Sequence, residues 1–584
     1  MRKFFLVACA AMACASPAVM RVSQDEGARE AAQPTTFGNP LDLDYRFMPD
    51  TLSWRQAADP LVTIYNDEYY LFASKSGGYW HSPDMRHWTL VVPDGVPLED
   101  YAPSVVTIGG RMYYTAHKQK AVYTTDDPRM GHWRKVADIG EYADPAFFLD
   151  GDGRLYLYHG SGLNGAISVV ELDPAHAFKL VSGPVALMKA NYVDHGWERS
   201  GEDNLGAVMA EGFRLGPYVE GSWMTKHDGV YYLQYAAPGT VWKTYADGVY
   251  TSRSPTSGFT YAPYSPFSYK PGGFSGSAGH SGTFQDKAGN WWRVVTTDIS
   301  VRHKFERRLA IIPAGFDADG VMRANNYLAD YPQLLPGVSR SPLDGNRAPW
   351  MLLSAGAAAS ASSSLPAHGA ALAADEDIRT DWSAGTGRPG EWLMLDLGVE
   401  SSIAAVQVNL ADEGVRSRGR ETVTRQRYVV EYSGDGRRWS TLVDRRLNER
   451  DAPHAYVELE RAVGARYVRI TNADVVPAGG RFAVRDLRVF GTSPIAAPPP
   501  VVGLSVVRNA ADERTAVLRW SKSPRASGYI VRFGVSAEKL YTEYQVGDVD
   551  TLTMNGLNSG VPYWFAVDAL GPGGVMRGSV VGPR

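Results

Sequence analysis

A unit that recurs about five times between Asp59 and Gly320 constrains the fold of this chain more than any other feature. Each copy opens with a short polar step, and about eight residues later enters an Asp-Gly-like turn that runs into an aromatic strand. The openings are Asp59-Pro60, Ala102-Pro103, Asp144-Pro145, Glu220-Gly221 and His280-Ser281. The turn-and-strand halves read NDEYYLFAS (66–74), GGRMYYTAH (109–117), DGRLYLYHG (152–160), DGVYYLQYA (228–236) and AGNWWRVVT (288–296). Short strands punctuated by Gly, Asp and Pro predict β structure with almost no helical periodicity from about 40 to 345. Repeated sheets of similar size close most simply into a ring, so the predicted fold is a five-bladed β-propeller; a β-sandwich or irregular all-β domain is the alternative.

Three of the five openings carry an acid and one a histidine. Propeller geometry turns the innermost strand of every blade to the axis, so Asp59, Asp144 and Glu220 should converge there. Cleavage of a glycosidic bond commonly needs one protonated and one ionised carboxyl group. Their environments must push the two pKa values apart, and a third carboxylate helps by raising a neighbour's pKa. Asp-Pro is also a common turn former, so the argument rests on the shared register and not on either Asp alone. Glu211 competes with Glu220 but lacks an Asp-Gly turn at the right offset.

These stretches resemble the family 43 glycoside hydrolases over about 40–345, through AADPLVTIYNDEYYLFAS (57–74), ADPAFFLDGDGRLYLYHG (143–160) and VEGSWMTKHDGVYYLQYA (219–236). The resemblance implies an inverting enzyme in which Asp59 is the general base, Asp144 tunes and orients the acid, and Glu220 is the general acid. It implies activity mostly on β-xylosides and α-L-arabinofuranosides, hence an exo-acting enzyme on plant-type polysaccharides or oligosaccharides. It also implies a cation or its water beside His280, with Ca²⁺ the expected metal and no cofactor required for the chemistry. Many members follow the glutamate with Ala-Pro, whereas Gly221-Ser222 stands here. The invertase-like fructosidases use a similar trio, but Ala58-Asp59-Pro60-Leu61 lacks the asparagines of their first motif. An exo-β-galactosidase or other glycosidase of the same fold, and a non-catalytic glycan-binding surface protein, are the alternative functions. Candidate substrate-binding residues are Trp80, Trp197, Arg199, Trp242 and Arg307; the segment 191–213 should shape the pocket from above.

Beyond the repeats, SAGAAASASSSLPAHGAALAA (354–374) marks a domain entry. Residues 346–492 resemble a discoidin-type (F5/8 type C) jelly-roll sandwich through DIRTDWSA, EWLMLDLG, RYVVEYSGDGRRW and ARYVRI. That resemblance implies glycan binding or a structural brace, with Ca²⁺ near Asp375, Glu376, Asp377 and Asp381. A Pro-rich linker (493–500) precedes 501–584, which resembles an immunoglobulin-like fibronectin type III sandwich with Trp520 on an early strand and Tyr563 placed for a tyrosine corner.

The first residues, Met1-Arg2-Lys3 and then FFLVACAAMACA (4–15), read as an export signal (1–15) followed by a disordered linker (16–39). Cleavage after Ala15 gives a soluble product; cleavage before Cys14 gives a lipid anchor. The expected location is the periplasm, the outer membrane as a lipoprotein, or outside the cell. The only cysteines are Cys9 and Cys14, which excludes a disulfide framework or thiol metal site in the rest of the chain. A net charge of -4 argues against a nucleic-acid partner.

Overall fold

A computed structural model describes residues 35–584 apart from 50–52, 98, 208–214, 338–342 and 344–345. The export signal, most of the linker, Cys14 and Glu211 therefore lie outside the described residues. The described elements are strands and four short 3-10 turns.

Five antiparallel sheets follow one another along the chain. Their first strands are Ala58–Tyr65, Ser104–Ile108, Ala146–Leu149, Tyr218–His227 and Gly276–Gln285. These strands touch in succession, and the fifth touches the first, so the ring is closed. Each sheet is a meander whose tight turn (Asn66-Asp67, Gly109-Gly110, Asp152-Gly153, Asp228-Gly229, Ala288-Gly289) pairs the inner strand with the aromatic strand after it. The aromatic side chains of those second strands fill the spaces between neighbouring sheets. Tyr70, Phe72, Tyr79, Tyr114 and Trp133, for example, form one buried cluster between the first two.

Side chains stitch the ring together at one repeated position. In three of the five units the ninth residue of the turn-and-strand segment accepts, through its side chain, a hydrogen bond from the backbone N–H of the next unit's opening residue. Ser74 Oγ accepts from Ala102 at 2.6 Å, His117 Nδ1 from Asp144 at 3.2 Å, and Thr296 Oγ1 from Asp59 at 2.8 Å. Asp59, Ala102, Asp144 and His280 all have φ between 44° and 51°. The backbone bends sharply there and points these residues into the channel.

After the ring, residues 351–492 build an eight-stranded assembly around the long strands Trp392–Leu410 and His454–Asn472. Residues 502–576 form a three-stranded and a four-stranded sheet. There the Tyr563 hydroxyl accepts from the Asn558 backbone N–H at 3.1 Å. Both modules pack directly on the ring. Arg55, 1% exposed, donates twice to Asp412 at 2.9 Å. Buried Arg308 donates to His454 Nε2 at 3.0 Å, and Arg485 pairs with buried Glu306 at 3.1 Å. One continuous apolar core joins Tyr235, Ala246 and Tyr269 of the fourth unit to Val531, Phe533, Leu557 and Tyr563 of the last module.

Candidate active site

Asp59, Asp144 and Glu220 line a single cavity of about 410 Å³ at one end of the ring channel. The bends at Asp59 and Asp144 turn their carboxyl groups inward. Glu220 arrives differently. Ala58 pairs with Ser74 and Glu220 pairs with the equivalent Ala236, so Glu220 stands one residue ahead of the position that Asp59 holds. Gly221 takes that position, with φ at 62°. The shared register expected from sequence is thus corrected by one residue for the fourth unit. The bulge between Glu220 and Trp223 has the same register as the one between Ala58 and Leu61, so it is the longer glutamate side chain that spans the one-residue difference. The Gly221 departure also has a physical cause: a Cβ there would lie 2.7 Å from His280 Cγ.

Asp59 is 7% exposed. Its Oδ2 accepts from Ser74 Oγ at 2.5 Å, and its Oδ1 lies 3.3 Å from both Arg307 and His280 Nδ1. Burial alone would raise its pKa; Arg307, His280 and the Ser74 hydroxyl outweigh burial and hold the carboxyl below the ordinary range. Glu220 is the opposite case. Burial pushes its pKa well above the usual value, and the negative charges of Asp144 and Asp59 push it further. A hydrogen bond from the Tyr245 hydroxyl at 2.6 Å opposes this only in part. One cavity thus holds two carboxyl groups whose pKa values are pushed in opposite directions, Asp59 down and Glu220 up. Asp144 Oδ1 makes a short contact with His117 Nδ1, which fixes its orientation.

Arg307 and Trp242 line this cavity, as the sequence reading expects. Arg307 also donates to Thr240 Oγ1 at 2.8 Å, and its guanidinium sits over the Phe305 ring. Three other candidates lie elsewhere. Trp80, on the outer strand Tyr79–Ser82, is fully buried against Tyr45 and fills the core of the first sheet. Trp197 is fully buried, donates to the Tyr261 hydroxyl at 3.0 Å and packs on Tyr235. Arg199 is 8% exposed and is paired with Asp512 of the last module at 2.9 Å.

Residues 195–200 of that segment are buried together. Glu198 is fully buried and accepts from Tyr235 Oη at 2.5 Å and the Asn191 N–H at 2.6 Å. The segment still shapes the cavity, but indirectly: Ser200 donates to Gly216 O at 3.1 Å, and Glu202 accepts from the Lys243 N–H, next to Trp242, at 3.2 Å. Sequence reasoning missed His117, Tyr101, Tyr218, Tyr245 and Phe305. For His117 a signal was available, because it occupies the same ninth position as Ser74 and Thr296.

Donor atoms of Asp144, Glu220 and His280 lie within 4.8 Å of one another, the one such group of metal-ligating type among the described residues. The acids of the second module are engaged in pairs and turns, although burial and, further, the nearby charge of Glu376 raise the pKa of both Asp375 and Asp486. Glu376 pairs with Arg488, Asp381 with His368, and Asp375 accepts from Thr380.

Residues 53–322 match the model of glycosyl hydrolases family 43, and residues 358–485 match the F5/8 type C domain. Among curated proteins, a β-D-galactofuranosidase of Aspergillus niger is 26% identical over 249 residues, covering 35% of this chain and 64% of its own length. A xylosidase/arabinosidase of Butyrivibrio fibrisolvens is 26% identical over 273 residues, covering 41% of this chain and 48% of its own. The chain therefore spans less than two thirds of either relative. A solved glycoside hydrolase is 18% identical with a TM-score of 0.44, covering 76% of this chain and 99% of its own. Residues 53–322, which hold the inner strands and the three acids, thus resemble glycosyl hydrolases family 43, and residues 358–485 resemble the F5/8 type C domain.

Proposed function

We propose that the cavity hydrolyses a terminal glycosidic bond with inversion. Glu220 protonates the leaving oxygen, Asp59 activates the attacking water, and Asp144 orients Glu220 and raises its pKa. The observation that carries this reading is the convergence of Glu220 and Asp59 in one cavity whose surroundings push their pKa values in opposite directions. Arg307 keeps Asp59 ionised and, with Trp242, offers a charged and an aromatic surface to the sugar. A single compact cavity supports exo action on α-L-arabinofuranosyl or β-D-xylosyl units of plant-type polysaccharides or oligosaccharides. A second reading, removal of β-D-galactofuranosyl units, is favoured by what the Aspergillus relative is called.

Nitrophenyl glycosides of arabinofuranose, xylose, galactofuranose and galactose, assayed in parallel, distinguish these substrates. Absence of turnover on all four, and on arabinan, xylan and arabinogalactan, overturns the enzymatic reading. NMR of the first-formed anomer tests inversion.

The surrounding architecture we propose is a five-bladed propeller (40–345) with a fibronectin type III module at 501–584. Closure of the inner strands supports the first part and the Tyr563–Asn558 bond the second. A structural Ca²⁺ beside His280 would be held by water and carboxyl oxygens; metal analysis of the purified protein tests it. Export through residues 1–15, with Cys14 as the alternative lipid attachment point, is tested by the mass of the mature N-terminus.

A further inference from the structure

The loop after the long strand Trp392–Leu410 reads EGVRSRGRETV (413–423) and is unusually rich in arginine. Exposure along it alternates: Gly414, Arg416 and Arg418 are exposed, while Val415, Ser417 and Gly419 are buried. Extended backbone sends alternate side chains to opposite sides, so Arg416 and Arg418 face the same way. The flanking charges are already used. Glu413 pairs with Arg302 at 3.4 Å, and Arg420 pairs with Glu99. No carboxylate among the described residues pairs with Arg416 or Arg418.

Both arginines line a groove of about 860 Å³. Arg481 stands on its other rim, anchored through its backbone N–H to Glu413 O at 2.8 Å and through its guanidinium to Gly385 O. Glu421 is the one acid in the lining, against three guanidiniums, and the remaining surface is small and aliphatic.

A chain of contacts connects the loop that carries the groove to the wall of the catalytic cavity. The Ser417 N–H donates to Ser53 Oγ at 2.9 Å, and Arg302 donates to Ser53 O at 3.2 Å. The next residue, His303, stacks on Trp54 at 4.0 Å and lies 5.7 Å from the ring of Phe305, which lines the cavity.

We propose that this groove binds the carboxylates of an acidic polysaccharide, one carrying uronic acid units, and holds that chain beside the catalytic cavity. Guanidinium matches carboxylate geometry in paired hydrogen bonds. The lining has no aromatic side chain on which a nucleic-acid base could stack, and the chain as a whole is acidic at -4. The proposal rests on the reading that the protein acts on polysaccharide, but its test reads binding and not hydrolysis.

The full-length protein and its R416A/R418A variant are run by affinity electrophoresis in gels containing polygalacturonate. Control gels hold the same polymer with its carboxyl groups reduced to alcohols. The expected result is retardation of the wild type by the acidic polymer alone, weakened roughly tenfold in the variant, as loss of a charge-assisted pair implies. Hydrolysis of nitrophenyl glycosides stays unchanged in the variant, and its thermal transition matches the wild type. Equal mobility of the wild type in both gels overturns the proposal, as does undiminished retardation of the variant. Tighter binding to a sulfated glycan or to duplex DNA overturns the assignment to carboxylates.

Discussion

Arg199 and Asp512 lie 313 positions apart in the chain and form an ion pair at 2.9 Å, with a second Arg199 bond to Asn555 O at 2.6 Å. The pair pins the segment that supports Gly216 and Lys243, and through them one wall of the catalytic cavity. We expect Arg199→Ala to raise KM more than it lowers kcat, and to cost about 1–3 kcal/mol of stability because the buried Asn555 carbonyl loses its donor while Asp512 is left with Arg514. The charge-swapped double variant, R199D with D512R, should recover part of both losses. Steady-state kinetics and urea unfolding provide the check.

Glu220→Gln removes the proton donor while keeping its shape. We expect kcat to fall by about 10²–10⁴. Leaving groups that depart without protonation, such as dinitrophenolate, should lose far less. An unaffected kcat on unactivated oligosaccharides would refute the role of Glu220.

Asp144→Asn tests the electrostatic coupling directly. After burial, the Asp144 charge is the next strongest influence raising Glu220. With that charge gone, Glu220 gives up its proton at lower pH. The alkaline limb of kcat/KM should therefore move down. The acidic limb, set by an Asp59 that must stay ionised, should move much less. A profile with an unmoved alkaline limb would show that Asp144 acts by packing alone.

Gly221→Ala places a methyl group 2.7 Å from His280 Cγ, at a residue whose φ is 62°. We expect the imidazole to be displaced from Asp59, weakening one of the contacts that keep that carboxyl ionised. The acidic limb of the pH profile should rise. A crystal structure of the variant would show the ring displacement.

Much of the ring was legible because turn chemistry and aromatic strands repeat at a fixed spacing, and a repeat survives single-residue noise. The one-residue advance of Glu220 was not legible: Asp144 and Glu220 both stand eight residues before their Asp-Gly turns, yet Asp144 takes the bend itself and Glu220 leaves it to Gly221. Trp80 and Trp197 were misplaced because aromatic residues serve inter-sheet packing as readily as sugar stacking, and only burial separates the two. Arg199 carries no local sign of Asp512. Ser74, His117 and Thr296 did carry one, since all three stand ninth in their segments.

The bond from Thr296 Oγ1 to the Asp59 backbone, 2.8 Å long and spanning 237 positions, joins the last sheet of the ring to the first. The Asp59 carboxylate also leans on His280 and Arg307, both in the fifth unit. Asp59 is among the first residues of the ring to leave the ribosome, yet its working environment is supplied by some of the last. A nascent chain that has already made all three acids therefore still lacks the groups that hold the Asp59 carboxyl below the ordinary range, until the fifth sheet is in place.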